Sequence, residues 1–202
     1  MTDFKNIING NTSGLRHKYS KKIVLLFDEI SNTYVYAKRN ARKPNSNAIK
    51  YNMVKLGHEL GYRVYANGLT EEQKKEQFDK YKFVNREFLF DIHWYKDKKK
   101  EYYMPEIISL VAESELGDRR KGDQSKLKNP AVMFDFQKLL VANAELRLLI
   151  FKAKSRIELE ALEKYFEKSI AAYKLLQKGS IFLFTCFLHD TKELVYCEKY
   201  KN

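Results

Sequence analysis

Three acidic side chains interrupt the most apolar part of this sequence, and they constrain its fold more than any other feature. Asp91 lies within REFLFDIHWY, residues 86–95, and Glu113 and Glu115 lie at the end of IISLVAESE, residues 107–115. Burying a carboxylate without a partner is costly. Acids are tolerated there when they pair with a cation, keep a proton, reach water or bind a metal ion. We therefore expect these acids to meet at one polar site.

The alternation of side chains predicts that both runs are strands. One side of strand 86–95 would carry Glu87, Leu89, Asp91 and His93, and the other side would carry Phe88, Phe90, Ile92 and Trp94. The polar segment KDKKKE, residues 96–101, predicts a hairpin tip that leads into a buried strand over 106–114. Since hairpin strands are neighbours, Asp91 and Glu113 are expected to stand side by side.

The rest of the chain alternates between helical and strand patterns. Apolar spacing and capping residues predict helices over 20–41, 47–60, 70–83, 130–144 and 155–177, with Thr70 and Gln73 as a capping box and Asn129 as an N-cap before Pro130. Strands are predicted over 62–68 and 146–153, followed by a final hairpin. A turn centred on Thr191-Lys192 would set Cys186 opposite Cys197, both packing as small apolar residues. The fold class is therefore mixed α/β.

Charge and hydropathy narrow the expected partners. The chain has 38 Lys and Arg against 26 Asp and Glu, a formal charge of +12, which favours a polyanion such as nucleic acid. No run approaches the roughly 20 apolar residues of a membrane-spanning helix, so no membrane partner is expected. The first 20 residues contain no apolar signal core, and a cytoplasmic location is the default expectation.

Carboxylates that converge on one point suit a hard divalent cation. Mg²⁺, or Mn²⁺ in its place, takes oxygen ligands and often keeps water and substrate phosphate in its remaining positions. We predict Asp91, Glu113 and Glu115 as its ligands. Lys138 lies on the helix that follows the Glu113 strand, where its ammonium group could stabilise charge that develops on a phosphate.

These residues resemble the PD-(D/E)XK nuclease superfamily. Asp91 matches the acid of the second core strand, and Glu113-Ser114-Glu115 matches the D/E-x-K motif of the third. Two positions depart from the pattern, because Phe90 stands where proline is usual and Glu115 stands in the lysine position. Some members use an E-x-E motif, and others supply the lysine from the next helix, the role that the resemblance assigns to Lys138.

The resemblance implies a restriction-endonuclease-like core of helix, three strands, helix and strand within residues 47–152. Residues 1–44 would then be a mobile lead-in and an N-terminal helix, and residues 45–202 a single nuclease-like domain that ends in a helix and a β-hairpin. The implied activity is metal-dependent hydrolysis of nucleic acid, with DNA as the expected substrate, and a homodimer stays open. A basic loop after Glu115 would hold the phosphate backbone through Arg119, Arg120, Lys121, Lys126 and Lys128.

Structural explanations stay open for the same residues. Asp91 could cap a turn or pair with Arg86 or His93, and the two glutamates could form an exposed strand end with salt bridges. Lys138 could be an ordinary solvated lysine, with Gln137 as an alternative polar group on that helix. A protein of the same fold could also bind nucleic acid without cutting it, and the lysine position held by Glu115 supports that alternative.

Overall fold

The computed structural model describes residues 2–7, 12–37, 46–82, 88–99, 104–116 and 129–202, and for residues 32–37 it describes the backbone alone. Within these ranges five helices are found, which are α1 (Ser20–Ala37), α2 (Ser46–Glu59), α3 (Glu71–Tyr81), α4 (Pro130–Val141) and α5 (Arg156–Ala172). Seven strands are found there, which are β1 (Lys5–Asn6), β2 (Arg63–Ala66), β3 (Ile92–Asp97), β4 (Pro105–Glu115), β5 (Leu146–Ala153), β6 (Ile181–Leu188) and β7 (Leu194–Tyr200). The mixed α/β class expected from the sequence is confirmed.

The strands that the structure describes form one open mixed sheet in the order β1-β7-β6-β5-β4-β3-β2. Strands β4, β5 and β6 run parallel, and the remaining pairs are antiparallel. The parallel strands at the centre are mostly apolar on both faces, as expected for strands covered by helices on both sides. Strand β4 therefore lies inside the sheet, with β3 on one side and β5 on the other.

Helices cover both faces of the sheet and create two hydrophobic cores. On the first face, α1 and α2 pack on strand residues that include Val64, Trp94 and Leu148. On the second face, α4 and α5 pack on strand residues that include Leu149 and Phe151. The cores account for the alternation along β5, because successive side chains of a strand point to opposite faces.

Helix α3 begins as the sequence predicts. The Thr70 hydroxyl accepts a hydrogen bond from the Gln73 amide at 3.2 Å, and the Gln73 side chain accepts one from the Thr70 amide at 2.9 Å. This capping box satisfies backbone donors that the first helical turn leaves free. Helix α4 differs, because Asn129 has a left-handed backbone with φ of 58° and its side chain makes no capping bond. Pro130 still opens that helix, as predicted.

The third strand begins later than the alternation predicts. Residues 83–87 lie outside the described ranges, residues 89–91 form a bend, and β3 starts at Ile92. Phe88 was expected beside Ile92 and Trp94, but its ring packs on His93 and Tyr95 on the other face. The bend interrupts the alternation of side chains and places Asp91 immediately before β3 rather than within it.

Two predictions near the C-terminus are wrong in register or length. Helix α5 ends at Ala172 rather than near 177. In the last hairpin Cys186 is paired with Val195, and Cys197 with Phe184, so the cysteines are diagonal neighbours rather than opposite each other. Both are buried and free. The turn is displaced by one residue from the predicted centre, which shifts the pairing by two positions.

The N-terminal segment, expected to be a mobile lead-in, contains an edge strand, because Lys5–Asn6 pairs with β7. No helix within the described ranges has the length and apolar character needed to cross a membrane.

Candidate active site

Asp91 lies where the start of β3 meets β4. The last pair of this register is Ile92 with Ala112, and Asp91 lies just beyond it, close enough to Glu113 for its charge to raise the pKa of Glu113. One carboxylate oxygen, Oδ2, accepts a hydrogen bond from the Ser114 amide at 3.0 Å. Asp91 therefore binds the backbone immediately after Glu113, and this bond fixes the position of its carboxylate.

A second set of contacts holds Asp91 from the α2 side. Asn67, in the turn after β2, donates from Nδ2 to Asp91 Oδ1 at 2.8 Å, and its amide donates to the Asp91 carbonyl at 3.0 Å. Lys50 of α2 places Nζ 3.2 Å from Asp91 Oδ2 and also hydrogen-bonds to Asn67 Oδ1. The Asp91 side chain remains 19 % exposed, so water and small ions can reach it.

Glu113 is almost fully buried under α4. The residue is 1 % exposed, and its Oε2 accepts a hydrogen bond from Lys138 Nζ at 2.6 Å. Its other oxygen, Oε1, has no hydrogen-bond partner among the residues that the structure describes. An unsatisfied carboxylate oxygen at such depth is unfavourable, which makes it a candidate position for a ligand atom or a proton.

Lys138 connects Glu113 to a further acid on its own helix. Its Nζ lies 3.1 Å from Asp135 Oδ1, one helical turn earlier, and Asp135 is 7 % exposed. Gln137, the alternative polar group on α4, turns away and donates to the Tyr165 hydroxyl at 3.3 Å. The structure thus places Lys138, and not Gln137, against the acids.

The surroundings of Glu113 and Lys138 raise the pKa of both side chains. Burial raises the pKa of Glu113 to about 8, the charges of Asp91 and Asp135 add to the rise, and Lys138 opposes it. Burial alone would lower the pKa of Lys138, but its bonds to Glu113 and Asp135 outweigh that effect and raise it. In the absence of another cation, Glu113 therefore holds a proton at pH 7 while Lys138 stays charged.

The three predicted metal ligands do not all converge. Asp91 and Glu113 are adjacent, whereas Glu115 lies two residues further along β4, about 6–7 Å from Glu113 along the strand. The acid oxygens of the three do not all lie within 4.8 Å of one another. The arrangement brings two carboxylates together, and Glu115 is at the edge of the cluster.

Sequence reasoning missed Lys50 and Asn67. Lys50 shares the buried side of α2 with Ile49, Met53 and Val54. A lysine among the apolar residues of one helix face is the sequence pattern that could have identified it. Asn67 gave no comparable signal, because a turn asparagine is common for reasons of backbone conformation alone.

Two further features named from the sequence are His93, on the same side of the predicted strand as Asp91, and the basic loop. His93 is fully buried, stacked on Tyr65 at a ring distance of 5.1 Å and packed edge-on against Phe88 at 4.5 Å. It belongs to an aromatic cluster rather than to an open site. The basic loop lies outside the described residues, with its five predicted phosphate contacts Arg119, Arg120, Lys121, Lys126 and Lys128.

A different acidic group satisfies the distance requirement for metal binding. Among the described residues, Asp3, Glu163 and Glu167 offer ligand oxygens within 4.8 Å of one another. Lys199 Nζ contacts all three, at 2.5 Å from Asp3, 2.8 Å from Glu163 and 2.5 Å from Glu167. The ammonium group already offsets part of the negative charge of these acids, which form a salt-bridge network between the N-terminal segment, α5 and β7.

Comparison with known proteins adds no further constraint on this site. No protein-family model, no curated protein and no solved structure matches the chain significantly.

Proposed function

We propose that this protein is a divalent-metal-dependent nuclease that hydrolyses phosphodiester bonds of nucleic acid, with DNA as the expected substrate. The observation that carries the proposal is that Asp91 accepts a hydrogen bond from the amide that follows Glu113, while Glu113 accepts one from the ammonium group of Lys138. The order α2, β2, β3, β4, α4, β5, with α3 inserted, also agrees with the order of a restriction-endonuclease-like core. The formal charge of +12 favours a polyanionic substrate.

The residues at this position fit a hard cation. Asp91 offers a partly exposed carboxylate, and Glu113 offers an oxygen without a hydrogen bond to any described residue. Mg²⁺ is commonly bound by one or two carboxylates, with water and phosphate as its other ligands. We assign Asp91 and Glu113 as ligands, and we propose that Glu115 contacts a water molecule held by the ion. A bound Mg²⁺ or Mn²⁺ would lower the pKa of a water molecule and offset charge on the phosphate.

The residues of the chain then have distinct tasks. Glu113 must lose its proton to bind a cation, and Lys138 keeps the resulting carboxylate in place. In hydrolysis, the oxygen of water forms a bond to phosphorus and the phosphorus–oxygen bond to the leaving nucleotide breaks. Solvent accepts the proton from water and returns one to the leaving oxygen. Lys138 stabilises the negative charge that builds up on the phosphate oxygens during this exchange.

The proposal is tested by removing each carboxylate without changing its size. Asp91→Asn and Glu113→Gln should each lower the rate of Mg²⁺- or Mn²⁺-dependent cleavage by ~100-fold or more, measured on single- and double-stranded DNA. Glu106→Gln is the matched control, because Glu106 is an exposed acid on the same strand, and it should keep full activity. Full activity of a folded Asp91→Asn variant would overturn the proposal.

A second function is favoured by the way the two acids are already neutralised. Lys50 is paired with Asp91, and Glu113 holds a proton and accepts a hydrogen bond from Lys138, so the cluster is stable without a metal ion, as in a nucleic-acid-binding module that has no catalytic activity. Such a module would bind DNA with an affinity that falls steeply with salt, and it would show no metal-dependent cleavage. A metal titration of the cleavage assay separates the two functions.

A further inference from the structure

We infer that Lys50 is a second functional lysine of this site, which balances the charge of Asp91 before a divalent cation binds and contacts the substrate phosphate afterwards. This inference rests on the proposed nuclease function and assigns one more residue to it. It goes beyond the single lysine that the sequence motif led us to expect.

The burial of Lys50 is the first observation. Lys50 is 8 % exposed and lies on the apolar side of α2 beside Ile49 and Met53. Lysine is rarely buried, because removing its ammonium group from water is expensive unless other groups replace the lost hydrogen bonds. Two oxygens do so here, Asp91 Oδ2 and Asn67 Oδ1.

The position of the ammonium group is the second observation. Lys50 Nζ lies 3.2 Å from Asp91 Oδ2, on an acid that already has two other donors, the Ser114 amide and the Asn67 side chain. Those two neutral donors can keep the carboxylate in place when the lysine moves. Lys50 is therefore not needed to orient Asp91, and its charge is available for another oxygen.

The ammonium group of Lys50 and the divalent cation compete for Asp91 at first, and both then act on the bound phosphate. A divalent cation on Asp91 repels the nearby ammonium group, so Lys50 lowers the affinity of the free protein for metal. The lysine side chain is long and flexible, and its head group acts as a mobile point charge. Once released, Lys50 can donate to a non-bridging oxygen of the bound phosphate and stabilise the transition state from the α2 side, opposite Lys138.

The test compares Lys50→Met with Lys55→Met, a variant of the same helix in which a half-buried lysine stacks on Tyr51. We measure Mn²⁺ affinity by calorimetry without substrate, DNA cleavage rate, and thermal unfolding. Lys50→Met should bind Mn²⁺ about 3- to 10-fold more tightly and cleave about 100-fold more slowly. Lys55→Met should match the unmodified protein in both.

Opposite movement of affinity and rate is the signature, because a merely structural lysine would weaken both together. Parallel loss of Mn²⁺ affinity and rate, or a rate within ~3-fold of the Lys55→Met control, would overturn the inference. If Lys50→Met does not fold, Lys50→Arg retains the charge, and it should keep normal Mn²⁺ affinity with a reduced rate. A normal rate in that variant would count against the inference.

The same measurements distinguish failure of the proposed nuclease function from failure of the inference about Lys50. If the unmodified protein neither binds Mn²⁺ at Asp91 nor cleaves DNA, the proposed nuclease function and this inference fall together. If the unmodified protein cleaves and Lys50→Met cleaves equally well, only the inference is overturned.

Discussion

At the scale of single residues, Glu113 shows how burial and charge determine the state of a carboxyl group. Water is excluded from it, Asp91 and Asp135 are nearby acids, and the hydrogen bond from Lys138 offsets only part of these effects. The group therefore holds its proton up to a pH of about 8, well above its ordinary value of 4.5. Binding a divalent cation must displace that proton, which links metal affinity to pH.

The same pKa predicts how stability depends on pH without metal. Between pH 4.5 and about 8 the folded protein keeps a proton on Glu113 that the unfolded chain releases. Glu113 therefore contributes most stability below pH 4.5, and this contribution declines as pH rises through the window. Glu113→Gln should reduce the slope of unfolding free energy against pH in urea titrations with EDTA. Glu106→Gln is the control and should keep the slope of the unmodified protein. An equal slope in Glu113→Gln and the unmodified protein would contradict this prediction.

At the scale of secondary-structure elements, α4 is fixed to the sheet at the end that follows Lys138. Arg147 of β5 is 4 % exposed, and it donates from Nε and Nη2 to the Ala142 carbonyl at 3.1 and 2.7 Å. It also donates from Nη1 to the Ala144 carbonyl at 3.0 Å. Burial lowers the pKa of Arg147 to about 10, a value at which the guanidinium is still charged at neutral pH.

Removing this arginine should loosen α4. Arg147→Met leaves the carbonyls at the helix end without their donors, and we expect a loss of about 1–3 kcal/mol in unfolding free energy. Arg147→Lys should recover part of it, since a lysine can replace only some of the bonds. Lys154→Met, at an exposed position just after the same strand, should change stability by less than ~0.5 kcal/mol. Equal stability of Arg147→Met and that control in denaturant titrations would refute the assignment.

At the scale of the whole molecule, the sequence predicts elements better than their junctions. The long periodic patterns located α2, α3, β4 and β5, because the amphipathic period is a local property. The bend at Asp91 and the hairpin register of Cys186 depend on contacts between strands. A one-residue shift in strand pairing would turn each side chain to the opposite face of the sheet. The pairing of Lys50 with Asn67 joins residues 17 positions apart, and nothing in the local pattern of either residue predicts it.

The salt-bridge network around Lys199 links the two ends of the described chain. Lys199→Met should destabilise the protein by about 2–3 kcal/mol, because Glu163, which is 5 % exposed, would lose its cation. The double variant Lys199→Met/Glu163→Gln should be more stable than Lys199→Met alone, since no buried charge would then lack a partner. Thermal and urea unfolding measure both variants. A double variant that is no more stable than the single one would rule out this role for Glu163.

If Asp91 and Glu113 share one divalent cation, the ion should be visible in a crystal soaked in Mn²⁺. We expect an anomalous difference peak in contact with oxygens of both carboxylates, with Lys50 Nζ moved away from Asp91. The peak should vanish in Glu113→Gln. Absence of a peak between Asp91 and Glu113, or a single peak at Asp3, Glu163 and Glu167, would show that Asp91 and Glu113 do not form a metal site.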